Sequence, residues 1–352
     1  MQALVTIPGV ARSTRVAEVA EPRPAPGTVL LRPLEVGVCG TDREISEGLF
    51  GVPPDGTDQL VLGHEVLALV ESDGHGFSRG ELVTATVRRS CRRCEACEHG
   101  SPDACETGQY SERGITRLDG FARELIAESV DEVVRVPTSL GRLGVLAEPA
   151  SICARALRHL ELVGSRQHWS PRRALVIGTG AIGMLATYFL RLRGLDVWSA
   201  ARSPATSIKG ELVAVSGAEY MSVEETPLQA LADATGGFDV VIEAAGDAQT
   251  MLDAIGVLGR NGVACLLGLD AHAHRVSIDG TVVGVDVVLQ NRAVFGSVNA
   301  RRDDWDAAVD LLDRTRARWP DAVESFVGLS VPLDDFEEAF EFRGVKATLV
   351  LA

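Results

Sequence analysis

From about residue 172 to residue 300, apolar and polar positions follow a strand–helix rhythm. Residues 174–177 form a short apolar run that breaks into a turn, Gly178-Thr179-Gly180-Ala181-Ile182-Gly183. Beyond it Ile182, Leu185, Ala186, Phe189 and Leu192 recur at helical spacing, Gly194 stands where a helix would stop, and residues 195–200 are apolar again. Apolar runs at 238–246, 262–268 and 294–299 continue the alternation, which predicts a parallel sheet of six strands. Residues 1 to about 150 read instead as short strands and turns, with the run TVLLRPLEVGV at 28–38 the longest of them. The polar stretch ELVGSRQHWSPRR at 161–173 predicts a connector between the two regions. No internal repeat or low-complexity tract interrupts this plan.

A G-x-G-x-x-G turn between a strand and a helix has a specific physical use. Gly178 permits the tight turn, Gly180 lets a pyrophosphate approach the backbone, and Gly183 allows the helix to pack close to the strand. The amides of Ala181, Ile182 and the rest of the first helical turn then face the phosphates. An acidic residue for a ribose 2′-hydroxyl belongs about 20 residues further on, where the chain carries Ala200-Ala201-Arg202-Ser203. An arginine and a hydroxyl suit a 2′-phosphate, so NADP is expected over NAD, with a solvated surface arginine as the plain alternative for Arg202. Gly268 and Asn299, at the ends of two later strands, are expected near the nicotinamide.

The composition narrows the class. The 352 residues suffice for two domains, and 46% apolar residues, 5% aromatics and 36 glycines suit a glycine-punctuated α/β enzyme. No apolar run reaches the ~18 residues of a membrane helix, and the N-terminus MQALVTIPGV has no basic start or long apolar stretch, so a cytoplasmic protein is expected. With 34 basic and 49 acidic residues the net charge is −15, which repels phosphate backbones and argues against a nucleic-acid partner. The expected partner is a small-molecule substrate.

Two clusters carry metal chemistry. Cys91, Cys94, Cys97 and Cys105 stand in a C-x2-C-x2-C-x7-C spacing, which brings four thiolates close enough for a tetrahedral structural zinc. A disulfide pair is the competing reading; His99 beside them is either a further donor or a surface residue. Cys39, His64 and Glu148 come from three separate segments, CGTD, GHE and EP, and a thiolate, an imidazole and a carboxylate match a catalytic zinc with one open position. Taken singly, each is a packed or capping residue.

CGTD at 39–42, GHE at 63–65, the four-cysteine lobe, EP at 148–149 and the glycine turn at 178–183 stand in one order over nearly the whole chain. In that set the chain resembles the zinc-dependent medium-chain alcohol and polyol dehydrogenases. CGTDREI at 39–45, YSERGI at 110–115 with LDGF following, and GSVNA at 296–300 are similar to the glucose dehydrogenase branch. The resemblance implies an α/β fold, with a GroES-like mainly-β catalytic domain (1–150 and 296–352) and a Rossmann doubly wound domain (151–295), and an active site in the cleft between them. It implies one catalytic and one structural zinc per chain, and hydride transfer from C1 of an aldose to NADP. It also implies a homo-dimer or homo-tetramer joined by edge strands of the nucleotide domains. Thr41 is expected to relay the hydroxyl proton. Glu65 is expected to be a direct zinc ligand or a group behind the ligands that exchanges with water, and Glu112 and Asn299 are expected on sugar hydroxyls. Ala68 and Arg92 replace glycines of the family pattern, Ala68 with the expected effect of tightening a turn, and Ile152 replaces an aspartate that some relatives use for the sugar. A polyol, amino-alcohol or secondary-alcohol dehydrogenase of the same superfamily is the alternative; a zinc-stabilised NADPH-binding protein without turnover is a second.

Overall fold

The computed structural model describes residues 1–270 and 274–351. The chain divides into two compact units, Met1–Ser151 with Asn299–Arg316 and the stretch from Glu324 onward, and Ile152–Val298 with Ala317–Val323. The return segment thus starts at Asn299 rather than 296, and residues 317–323 fall in the second unit, where the Trp319 ring meets Tyr188 edge-on at 5.1 Å.

In the first unit, seven strands among the described residues build the main sheet around Thr28–Val38, which pairs with Glu65–Val70, Ile126–Ser129 and Lys346–Val350. Buried positions alternate along Thr28–Val38 up to Pro33, and the register against Glu65–Val70 then shifts between Pro33 and Glu35. Proline cannot donate to the ladder, and an irregularity there re-aims the side chains that follow. The strand therefore ends with Val36, Gly37 and Val38 all buried and delivers Cys39 to the start of the helix Gly40–Ser46. Val29, Leu31, Val36, Ile45, Leu62, Val66, Phe121 and Leu349 belong to one apolar core under this sheet. Ala68 sits inside the strand Glu65–Val70, fully buried opposite Pro33 and Val83, so there is no turn there for it to tighten.

In the second unit, among the described residues, six parallel strands run in the order Glu219–Ser222, Asp196–Ala201, Arg173–Ile177, Phe238–Glu243, Leu258–Leu266 and Ala293–Gly296. The order reverses between Arg173–Ile177 and Phe238–Glu243, the switch point at which open α/β sheets bind ligands. Three of the expected runs change at their ends. The strand expected at 238–246 stops at Glu243, whose side chain turns back to accept from the amides of Ala245 and Gly246 at 2.8 and 3.0 Å. The one expected at 262–268 begins earlier, at Leu258, and Asn299 lies beyond its strand with φ of 65°. The expected connector is helical as far as Gly164, because Ala147–Gly164 continues to bury Leu157 and Leu160. No described helix is long and apolar enough to cross a membrane.

Three glycines meet just before His64. Gly63 has φ of 89°, and a Cβ on Gly114 or Gly120 would overlap the backbone of residues 62–63. Backbone carbonyls cannot rotate away as a side-chain end can, so this contact admits no side chain. Gly120→Ala is expected to push residues 62–64 aside and to destabilise the fold by about 1–3 kcal/mol. A thermal melt of Gly120→Ala indistinguishable from wild type would show that the approach is looser than this.

Candidate active site and metal centres

The helix Gly40–Ser46 begins with Cys39 as its cap. The Thr41 amide donates to Cys39 Sγ at 3.3 Å, and the Cys39 amide donates to Asp42 Oδ2 at 2.9 Å. Amides at a helix start favour negative charge, which suits a thiolate. Cys39 Sγ lies 3.0 Å from His64 Nε2, and the donor atoms of Cys39, His64 and Glu65 all lie within 4.8 Å of one another. On the other side of the ring, His64 Nδ1 is 3.4 Å from Asp42 Oδ1. Both of these atoms are buried and lack any other partner among the described residues. A carboxylate at Nδ1 fixes the tautomer that leaves the Nε2 lone pair toward Cys39, the arrangement of a metal-binding histidine. Burial disfavours the charged imidazole, but Cys39 and Asp42 outweigh it and hold the His64 pKa well above its ordinary value. So much negative charge facing one imidazole is a donor set that a cation fits.

Glu65 is held from behind. Lys346 Nζ donates to both carboxylate oxygens, at 2.6 and 2.5 Å, with both side chains buried. A Cβ at Gly37 would overlap Glu65 Oε2, so the glycine makes room for the carboxylate. Glu65 lies in the set of mutually close donors with Cys39 and His64, while Glu148, expected as the third ligand, lies outside that 4.8 Å set. Glu148 starts the helix Ala147–Gly164 and faces the same charges. Burial pushes its carboxyl up to about 7, with His64 and Lys346 pulling it down and Glu65 and Asp42 pushing it up. Thr41 is half-buried on the first turn after Cys39.

The four cysteines of the lobe do come together. Their sulfurs lie within 4.8 Å of one another, with Cys91–Cys97 at 3.8 Å, Cys94–Cys97 at 3.3 Å and Cys94–Cys105 at 4.0 Å. Four thiolates at 2.3 Å from a tetrahedral zinc stand about 3.8 Å apart, so the spacing fits. All four are free thiols, which removes the disulfide reading. The Thr107 hydroxyl and the Arg93 backbone lower the Cys91 thiol to about 6, whereas desolvation raises Cys97 to about 11. A cation is what lets all four be thiolates together. His99 is exposed and bonds the Glu95 carbonyl at 2.8 Å, outside the set. Arg92 explains why glycine is usual after the first cysteine: its φ is 55°, and its guanidinium holds Glu132 and Asp131 at 2.8 and 3.4 Å.

Glu112 and Asn299, 187 residues apart, meet: Asn299 Nδ2 donates to Glu112 Oε1 at 2.6 Å. In the second unit Gly178 has φ of 98°, Gly180 caps the helix Ala181–Leu192 with open space where a Cβ would be, and a Cβ on Gly183 would overlap the Gly178 carbonyl. The three glycines thus have the turn, approach and packing roles expected of a pyrophosphate cradle. Arg202 is exposed and Ser203 half-buried just past the strand Asp196–Ala201; Ser203 Oγ lies 2.7 Å from the Tyr220 hydroxyl. Gly268 lies against Gly246, where a Cβ would overlap the Gly246 amide. Sequence reading missed Asp42 as the partner of His64, and it missed Lys346 and Arg88 altogether. The one legible sign of Lys346 was a lysine in the otherwise uncharged strand KATLV.

Comparison with known proteins agrees with this geometry. The sequence-family model "Alcohol dehydrogenase GroES-like domain" matches residues 25–138, and "Glucose dehydrogenase C-terminus" matches residues 141–351. A glucose 1-dehydrogenase of Methanocella arvoryzae is 40% identical over 97% of this chain and 96% of its own length. One of Thermoproteus tenax is 38% identical over 100% and 99%. The solved Haloferax mediterranei glucose dehydrogenase, in complex with NADP, Zn and gluconolactone, superposes with a TM-score of 0.92 at 31% identity, covering 100% of this chain and 99% of that one. Motifs, fold and relatives converge, and the chain belongs to the zinc-dependent medium-chain dehydrogenases, in their glucose dehydrogenase branch.

Proposed function

We propose that this protein oxidises D-glucose, or a closely related aldose, at C1 with NADP as hydride acceptor, giving the lactone. The observation that carries the sugar reading is the Glu112–Asn299 pair at 2.6 Å, in the same compact unit as Cys39, His64 and Glu65. A carboxylate and an amide built to bond hydroxyls favour a polyhydroxylated substrate over an apolar alcohol. The curated relatives named glucose 1-dehydrogenase and the solved relative holding gluconolactone support it. Ile152 stands where some relatives place a sugar-binding aspartate, and this favours a test across several polyols as well as aldoses.

Cys39 and His64 would hold the catalytic zinc with Glu148 as its carboxylate, while Glu65, held by Lys346 on both oxygens, stands behind the ligands or exchanges into the set. Cys91, Cys94, Cys97 and Cys105 would hold the structural one. Zinc in the catalytic set supplies a Lewis acid that lowers the pKa of a hydroxyl. Asp42 keeps a proton on His64 Nδ1 and so keeps Nε2 turned toward Cys39. Lys346 neutralises Glu65 and fixes both of its oxygens. Thr41 Oγ1 accepts a hydrogen bond from the substrate hydroxyl and, as it takes that proton, gives its own toward solvent. Gly178, Gly180 and Gly183, with the amides of Ala181 and Ile182, cradle the pyrophosphate. Arg202 and Ser203 take the 2′-phosphate, and Gly268 lies toward the nicotinamide end. The balance of the reaction is one hydride from C1 and one proton from the hydroxyl.

Wild type is expected to carry two zinc ions per chain and to reduce NADP fastest with glucose or a close aldose in a panel of aldoses, polyols and simple alcohols. Cys39→Ser should keep one zinc and its melting transition while losing turnover by at least about a thousandfold, as removal of a reaction's key group does. Turnover confined to polyols or alcohols would overturn the sugar; a Cys39→Ser enzyme active with two zinc ions would overturn the metal assignment.

Arg202→Asp replaces a phosphate donor with a residue suited to a ribose hydroxyl. Its NADP-to-NAD ratio of kcat/KM is expected to fall about 100-fold or more, the loss of charge-assisted hydrogen bonds plus new repulsion. An unchanged ratio would return Arg202 to the solvated surface.

The chain is further proposed to form a dimer through the strand Ala293–Gly296. That strand pairs only with Leu258–Leu266 among the described residues. Val285, Val288, Leu289, Val294 and Val298 nearby in sequence are exposed. An open strand edge with apolar neighbours is a pairing site that a second copy covers. Light scattering should give a dimer or a multiple of it, and Leu289→Lys with Val294→Lys should give a folded monomer. Wild type running as a monomer at micromolar concentration would end this proposal.

A further inference from the structure

Arg88 has no role in the reading above, yet its guanidinium is among the most constrained in the first unit. It lies on the short strand Arg88–Arg89, directly opposite Glu112 in the antiparallel pair with Ser111–Arg113. Nε and Nη2 each approach Glu112 Oε1 at 3.0 Å, and the two side chains are only 10% and 11% exposed. Nη1 donates to the Asp103 carbonyl at 2.8 Å, in the turn Pro102–Ala104 that leads into Cys105. The guanidinium also lies 4.0 Å from the centre of the Tyr110 ring. Arg88 is therefore clamped from the four-cysteine lobe on one side and from Tyr110 on another.

The distribution of donors on Glu112 is uneven. Two arginine nitrogens and Asn299 Nδ2 all converge on Oε1, while Oε2 takes none of these donors. A buried ion pair serving stability alone gains most from the two-oxygen fork that arginine and carboxylate form readily. Crowding one oxygen instead fixes the carboxylate plane and leaves the second oxygen to meet another group. Asn299 reaches this point from a left-handed backbone conformation, φ 65°, which asparagine tolerates better than most residues.

We propose that Arg88 is a positioning residue for substrate recognition: anchored on Asp103 and Tyr110, it locks Glu112 through Oε1 so that Oε2 is presented to a sugar hydroxyl. The inference rests on the reading of Glu112 as a sugar contact. Its chemistry requires a substrate with a hydroxyl at that point, and it makes the four-cysteine lobe a support for recognition as well as for folding.

Steady-state kinetics at saturating NADP would be measured for wild type, Arg88→Met, Arg88→Lys, Glu112→Gln and the Arg88→Met/Glu112→Gln double variant, on glucose and its monodeoxy analogues. Arg88→Met should raise KM for glucose about 10- to 100-fold, the worth of a charge-assisted hydrogen bond, with a smaller change in kcat and none in KM for NADP. Arg88→Lys should recover part of the loss, because one ammonium cannot hold both Glu112 and the Asp103 carbonyl. The penalty should shrink for the one deoxy sugar that lacks the hydroxyl Glu112 meets, and the double variant should match Glu112→Gln within about threefold, as residues acting through one contact do. Equal penalties on every sugar, additive effects in the double variant, or an unchanged KM would each overturn the proposal. If Arg88→Met fails to fold, Arg88→Lys alone and with Glu112→Gln makes the same comparison. If wild type does not oxidise glucose, the function proposed above falls, and the variants are compared on the best substrate of the panel.

Discussion

Charge buried beside Cys39 is the constraint to which the rest of the first unit answers. Asp42, His64, Glu65 and Lys346 are all buried around the half-buried Cys39. An unpaired buried charge is costly, and breaking a buried pair by removing one partner costs about 3–5 kcal/mol. Each element that enters this place therefore brings a partner with it. The helix Gly40–Ser46 brings Asp42 to His64, and the last strand, Lys346–Val350, brings a cation to Glu65. The register shift after Pro33 and the missing side chain of Gly37 make the room. The glycines at 63, 114 and 120 let His64 arrive at the required depth. What remains after all internal pairings is an imidazole nitrogen and a sulfur 3.0 Å apart, a site whose charge is completed by a metal.

The second unit answers to a different constraint, the approach of an anion to backbone. Its demands are steric, so glycines satisfy them and few charges are needed. Gly178, Gly183, Gly246 and Gly268 have neighbours that exclude a Cβ, whereas Gly180 faces open space. In the function proposed above, specificity falls to one exposed arginine and a serine at the end of the next strand.

The four-cysteine lobe adds a metal-ordered loop to the first unit. Metal-like spacing of its sulfurs orders a loop with little apolar content of its own, and the ordered loop offers a carbonyl to Arg88. With Glu112 as the proposed sugar contact, one guanidinium connects structural support with substrate recognition.

Much of this was legible in the sequence, for local reasons. The thiol spacing at 91–105, the glycine turn at 178–183 and five apolar runs of the parallel sheet each depend on residues near one another, so their periods and spacings appear in the chain directly; the edge strand Glu219–Ser222 gave no such run. Cys39 and His64 were legible through their motifs. Other features belong to tertiary structure alone. Glu65 lies close to Cys39 and His64 and is paired there by Lys346, 281 residues away. Ala68 lies in a strand because Pro33 and Val83 stand opposite it. Arg88 turns to Glu112 because two short strands bring them face to face, and Asn299 reaches the same oxygen from the far end of the chain. A sequence states which groups are available; only folding decides which buried charges share a place, since the cost of leaving one unpaired arises after water has been removed from around it.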